Sequence, residues 1–189
     1  LHDMGDPVGA AAHVLQSHPL DLTEAWTELE RAHVLVGSRF AHDLVHDVAA
    51  RAVPAPISAL LHRGIAAYPD AEGAPSARVA QHYAEAGEWR PAAAFHLRAA
   101  DTARRASRRA EEVEQREAAI TCLDRAGDVD AAFDARCASV ESVILVRGVE
   151  RALAVIEGML AVARTPAQRA AALTARATAS LMAADHVTG

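Results

Sequence analysis

The sequence predicts a mainly α-helical chain, with one β-hairpin near its start and antiparallel helical hairpins after it. Three observations carry that prediction. Forty-seven of the 189 residues are Ala, the strongest helix former and small enough to let helices approach closely. Hydrophobic residues make up 51% of the chain but aromatic ones only 4%, which argues against an all-β fold. Apolar residues recur at three- and four-residue spacing, broken by brief turns that carry Gly or Pro.

Residues 6–17 are predicted helical, with Pro7 in the first turn and Val8, Ala11, Ala12 and Leu15 sharing a face. Pro19 ends that helix. Asp21 is the expected N-cap of a helix over 22–32. Glu24 would complete its capping box, and Leu22, Trp26 and Leu29 would form its buried stripe. His33 to Val36 and Arg39 to Ala41 read as two short strands around a Gly37-Ser38 turn. Asp43 to Ala52 is the next helix, with Leu44, Val45, Val48 and Ala49 inward, and Pro54 and Pro56 break it. Ile57, Leu60, Leu61 and Ile65 mark a further stripe that ends near Tyr68.

Residues 69–75 make the clearest linker, rich in Pro, Gly and acidic residues. Beyond it, helices are expected over about 76–86, 90–106, 109–125, 128–146, 149–164 and 166–184. Asp128 suits an N-cap, and Thr165, Pro166 and Gln168 combine a capping box with Pro at the first helical position.

Helix, helix, hairpin is the order of a winged-helix module, so residues 1–54 are expected to form a winged-helix-like unit with the hairpin as wing. Gly87 and Gly127, 40 residues apart, punctuate the helices beyond the linker. Val79 and Ala80, then Tyr83, Gly87, Ala92 and Ala99, combine small residues for close helix contact with a filler and a tight turn. Those types at those spacings resemble the tetratricopeptide (TPR) repeat. Ser76, His96 and Arg104 depart from it, standing where that repeat prefers Trp, Phe and Pro. Gly148 and Ala152 recur later without the tyrosine. Residues 55–189 are therefore expected to form TPR-like hairpins in a shallow right-handed array, an α-solenoid of irregular period.

Phe40-Ala41-His42, followed by Leu61-His62 and then by the TPR-like helices, resembles a segment of large bacterial signalling ATPases. These are the multidomain transcription activators of the maltose-regulator kind, LuxR-type large ATP-binding regulators, with relatives attached to adenylate cyclases or protein kinases. The resemblance spans about residues 10–125 and implies a non-catalytic regulatory segment. An inducer or a partner protein would bind the helical array. ATP would bind only in an upstream domain, so no cofactor is expected in this segment, and DNA would be met through a domain outside it. A scaffold segment of a cyclase or kinase protein is the alternative within the same resemblance. Phe40, His42, Leu61 and His62 carry the family signature; Val79, Ala80, Tyr83, Gly87, Ala92 and Ala99 carry the repeat.

Composition narrows the chemistry. All 19 basic residues are Arg; without Lys there is no phosphate-binding P-loop of the usual kind, no Schiff base and no pyridoxal chemistry. No Asn means no N-glycosylation site. The net charge of −6 opposes non-specific nucleic-acid binding. Cys122 and Cys137 are too few for a disulfide framework and are expected reduced. No apolar run reaches membrane-spanning length and no leader pattern opens the chain, so a cytoplasmic protein without membrane contact is expected. The chain begins on Leu1 and is read as a piece of a longer protein.

Two constellations have sharper readings. His42 and His46 share a helix face and would bind zinc if a third ligand such as His62 joined them, the basis of a small metal-dependent enzyme. The plainer reading has His42 hydrogen-bonded near the hairpin and His46 solvated. Arg104, Arg105, Arg108 and Arg109 form a basic cluster near a helix junction. With Glu111, Glu112, Glu114 and Arg116 close by, it reads as a solvated, internally paired face. Asp124, Asp128 and Asp130 read as helix caps rather than a calcium loop.

Overall fold

The computed structural model describes residues 7–68 and 75–188. The expected linker lies almost wholly outside the described residues. Those described form ten α-helices, one 3₁₀ turn and one two-stranded antiparallel sheet, so the chain is mainly helical. It divides into two compact units, Leu1–Glu88 and Trp89–Gly189. The 54/55 division expected from sequence falls inside the first of these.

In the first unit, α1 (Pro7–Leu15) leads into the 3₁₀ turn Pro19–Leu22 and α2 (Thr23–Arg31). The expected Asp21 cap is corrected here. His18 caps the 3₁₀ turn through the Leu20 N–H at 3.2 Å, and Asp21 accepts from the His18 N–H at 3.2 Å. Asp21 is thus the inner member of a capping box that starts three residues earlier, and Leu22 precedes α2 without a side-chain cap.

The hairpin forms as expected. β1 (Leu35–Val36) pairs with β2 (Arg39–Phe40), Leu35 opposite Phe40. Gly37 takes φ +60° in the two-residue turn, a value that favours glycine. Trp26 Nε1 donates to the Gly37 carbonyl at 3.2 Å and ties α2 to the turn. The unit continues through α3 (Asp43–Ala52), α4 (Ala55–Ala66) and α5 (Ser76–Glu85). Pro54 and Pro56 straddle the start of α4, where a missing N–H costs nothing.

The inward faces assigned from periodicity need correction in this unit. Leu15, Leu29, Leu44, Val48, Ile57 and Leu60 are all exposed. The buried residues are four alanines, Ala10, Ala12, Ala66 and Ala80, with Leu35 and Val79. The amphipathic pattern is present, but α2 and α3 bury no residue. An apolar stripe is covered only where a second element packs on it, as α4 does on α1 and α5.

The second unit is a run of longer helices: α6 (Trp89–Arg105), α7 (Arg109–Arg125), α8 (Val129–Arg147), α9 (Val149–Val162) and α10 (Pro166–Thr188). Each packs on the next, and α10 also meets α8. The core lies mainly between α8, α9 and α10, where Phe133, Val143, Ile156, Met159, Ala172 and Ala179 are buried.

The helix ends repeat. α6 ends with Arg108 N–H bonded to the Ala103 carbonyl at 2.8 Å across Ser107 (φ +59°). α7 ends with Asp128 N–H on the Leu123 carbonyl at 2.9 Å across Gly127 (φ +69°). Both are left-handed caps that satisfy otherwise orphaned carbonyls. In the first unit Glu88 N–H closes on Tyr83 in the same way across Gly87, φ +75°. Asp128 caps α8 through the Ala131 N–H at 3.4 Å. Thr165 and Gln168 form the expected reciprocal box at α10, at 3.1 and 3.3 Å.

Candidate binding groove

A groove of about 450 Å³ opens between α7, α8 and α9 of the second unit. Its lining reflects helix periodicity. Glu117, Ile120 and Thr121 come from α7, Arg136, Ser139 and Val143 from α8, and Arg151, Ala154, Val155 and Gly158 from α9. On each helix the spacing is three, four or seven residues, so each set lies on one face. The volume falls within the range of small-molecule sites.

Of the lining residues Ser139 and Val143 are buried, Ile120 and Val155 half-buried, and Thr121, Ala154 and Gly158 exposed. Arg136 Nη2 donates to Asp124 at 2.6 Å. Glu117 is shared between Arg151 at 3.8 Å and Arg147 at 3.9 Å, both beyond hydrogen-bond reach. Two guanidiniums and one carboxylate therefore line the groove itself. With Asp124 on Arg136, the guanidiniums of Arg136, Arg147 and Arg151 face the carboxylates of Asp124 and Glu117. At Gly158, in the interior of α9, an added Cβ would meet no atom within 4 Å.

The repeat-defining residues take structural positions. Val79 and Ala80 are buried in the first unit, where Tyr83 is half-buried, and Ala92 and Ala99 are buried in the second. His96 is buried on α6, and its Nδ1 lies 2.8 Å from Gln115 Oε1 of α7. A buried imidazole needs such a partner.

The histidine readings part company. His42 sits at the N-cap of α3, where its side chain makes no cap bond. His46 is exposed, 3.4 Å from Asp47 and edge-on to Phe40. His62 meets His82 instead, Nδ1 to Nδ1 at 2.8 Å between α4 and α5. Among the described residues no three ligating side chains converge as a metal site. Beside the histidine pair, Arg63 donates to Glu88. Leu61 is half-buried on α4.

The reading of the Arg104–Arg116 stretch as a solvated face is corrected in part. Arg108 pairs with Glu111 at 2.7 Å on the surface, as expected. Glu112, however, is 1% exposed and Arg116 7%. Glu112 accepts from Ser142 Oγ at 3.0 Å, from Arg109 at 3.3 Å and from Arg116 at 3.3 Å. Arg116 also reaches Asp101 of α6 at 3.1 Å. The network ties α6, α7 and α8 together. Its sequence signal, the i,i+4 Glu-Arg pair, was visible, but its burial was not.

Asp124 and Asp130 also hold surface partners: Asp130 accepts from Gln168 Nε2 at 2.9 Å. Cys122 is buried, Cys137 half-buried, and both are free; burial raises both thiol pKa values.

The fold and the groove define a helical chain with a ligand-sized groove in its second unit. Comparison with protein-family models, with curated proteins and with solved structures finds no match for this chain. No single helix among the described residues is long and apolar enough to cross a membrane.

Proposed function

We propose that this chain is a non-catalytic regulatory segment of a multidomain bacterial ATPase-linked transcription regulator, working in the cytoplasm. Residues 55–189 would be a TPR-like array, and the groove in the second unit would receive an inducer or a segment of a partner protein. The observation that carries the reading is the groove between three consecutively packed helices. It is lined at helical spacing by residues that the core mostly leaves unused. The repeated left-handed caps at Ser107 and Gly127 support a modular helix array.

In this reading residues 1–54 are a winged-helix-like relay, with β1 and β2 as its wing. Exposed Leu29 on α2 and Leu44 and Val48 on α3 support a unit that packs against a further folded body. The parent's ATPase module is that body. Occupancy of the groove would shift the packing of the array and so bias the ATPase between states.

The reading is tested by titrating the chain with MgATP and assaying phosphate release. No hydrolysis and no nucleotide affinity tighter than millimolar are expected. Turnover, or tighter binding, would remove the assignment of ATP to another domain.

A further inference from the structure

We propose that the α7–α8–α9 groove receives an anionic amphiphile: a small organic acid whose anion lies between Arg136 and Arg151 and whose apolar body rests on Val143, between Ile120 and Val155, next to the exposed Gly158. The proposal rests on reading the groove as the binding face and names the chemistry of its occupant.

Two independent observations converge on it. The first is charge. Arg136 and Arg151 line the groove against the single carboxylate of Glu117. Glu117 lies 3.8 Å from Arg151 and 3.9 Å from Arg147, too far to satisfy the donors of either. A guanidinium presents five N–H donors, so an incoming carboxylate finds donors that Glu117 does not engage. Arg136 is anchored by Asp124 at 2.6 Å, which orients it at little entropic cost on binding.

The second observation is the open, exposed side of the groove at Gly158. Glycine in a helix interior costs about 1 kcal/mol relative to Ala. Glycine is usual where two backbones nearly touch, yet a Cβ at Gly158 would meet nothing within 4 Å. Nothing in the unit's own packing therefore requires glycine there. Ala154, one turn earlier, lines the same groove. Both are exposed, so an occupant seated on buried Val143 between Ile120 and Val155 meets no side chain at Gly158. An apolar body on these residues, with its anion at the two arginines, matches both halves of the lining.

The experiment uses two fluorescent probes with the same aromatic body: 1-anilinonaphthalene-8-sulfonate, which carries an anion, and N-phenyl-1-naphthylamine, which does not. Each is titrated into the full chain and into Gly158→Trp, Gly158→Ala, Arg136→Ala and Arg151→Ala. The expected result is saturable one-to-one binding, tighter for the sulfonate, and lost for both probes in Gly158→Trp. Gly158→Ala, which adds one methyl in open space, should fold at least as well and still bind.

Each arginine variant should weaken the sulfonate about tenfold or more, the loss of one charge-assisted hydrogen bond, and leave the neutral probe unchanged. Far-UV circular dichroism and a urea melt check that each variant is folded. Equal affinity for both probes, still lost in Gly158→Trp, would keep the groove as a binding face and overturn the anionic occupant. Binding that survives Gly158→Trp, or no saturable binding of either probe, would overturn both.

Discussion

Removing the Glu112 carboxylate should destabilise the second unit more than any exposed ion pair would. Glu112 is 1% exposed and accepts from Ser142, Arg109 and Arg116. Breaking a buried pair by deleting one partner costs about 3–5 kcal/mol, because the remaining charge is left uncompensated. Here Arg116 keeps Asp101 at 3.1 Å, so Glu112→Ala belongs at the lower end, about 3 kcal/mol. Replacing both partners by apolar groups of similar volume is near neutral or stabilising. The double variant Glu112→Leu with Arg116→Met should therefore recover most of that loss.

The assay is urea unfolding followed by Trp89 fluorescence in a Trp26→Phe background. Trp89 lies in the second unit under the Arg125 guanidinium, 4.6 Å from its ring centroid, so it reports that unit separately. A loss below about 1 kcal/mol for Glu112→Ala, the range of a surface pair, would refute the reasoning. So would a double variant at least as unstable as the single one.

Two further outcomes rest on local geometry. Ser107 holds φ +59° at the end of α6, and an L-residue there costs about 1–2 kcal/mol. Ser107→Gly should raise the stability read from the urea midpoint, by up to about 1 kcal/mol after the extra unfolded-state entropy of glycine; a lower midpoint contradicts the cap. Burial first, then the neighbouring His62 and Arg78, lowers the His82 pKa from 6.5 to about 4. A base with a depressed folded pKa is neutral in the fold and takes up a proton on unfolding. Its contribution is then fully present above about pH 6.5 and is lost as pH falls toward about 4. Trp26 fluorescence should show the first unit weakening over that window, and His82→Gln should flatten the dependence; an unchanged slope would count against it.

The sequence was most informative where a local rule suffices. Every helix of the second unit lies within a few residues of its expected span, because Ala-rich periodicity and turn chemistry act over a few neighbours. The box of Thr165 and Gln168 and the cap at Asp128 were legible for the same reason. The shift of the first capping box to His18 was not, since Asp21 fits either end of such a box and only the 3₁₀ turn selects one.

Burial was less legible. Leu44 and Val48 carry the pattern of an inward face, yet they are 73% and 60% exposed, because no described element of the first unit covers α3 there. Glu112 carries the pattern of a solvated face, yet it is buried, bonded to Ser142 of α8 and to Arg116, which reaches α6.

By itself, then, the sequence determined the helical class, the hairpin and the places where the chain turns, all consequences of backbone preference over short range. Only the tertiary structure decided which charges are buried, which histidines meet, and that three helix faces enclose a groove. Those outcomes depend on which surfaces lie opposite one another across dozens of residues, and hydrophobic periodicity names a face without naming its partner.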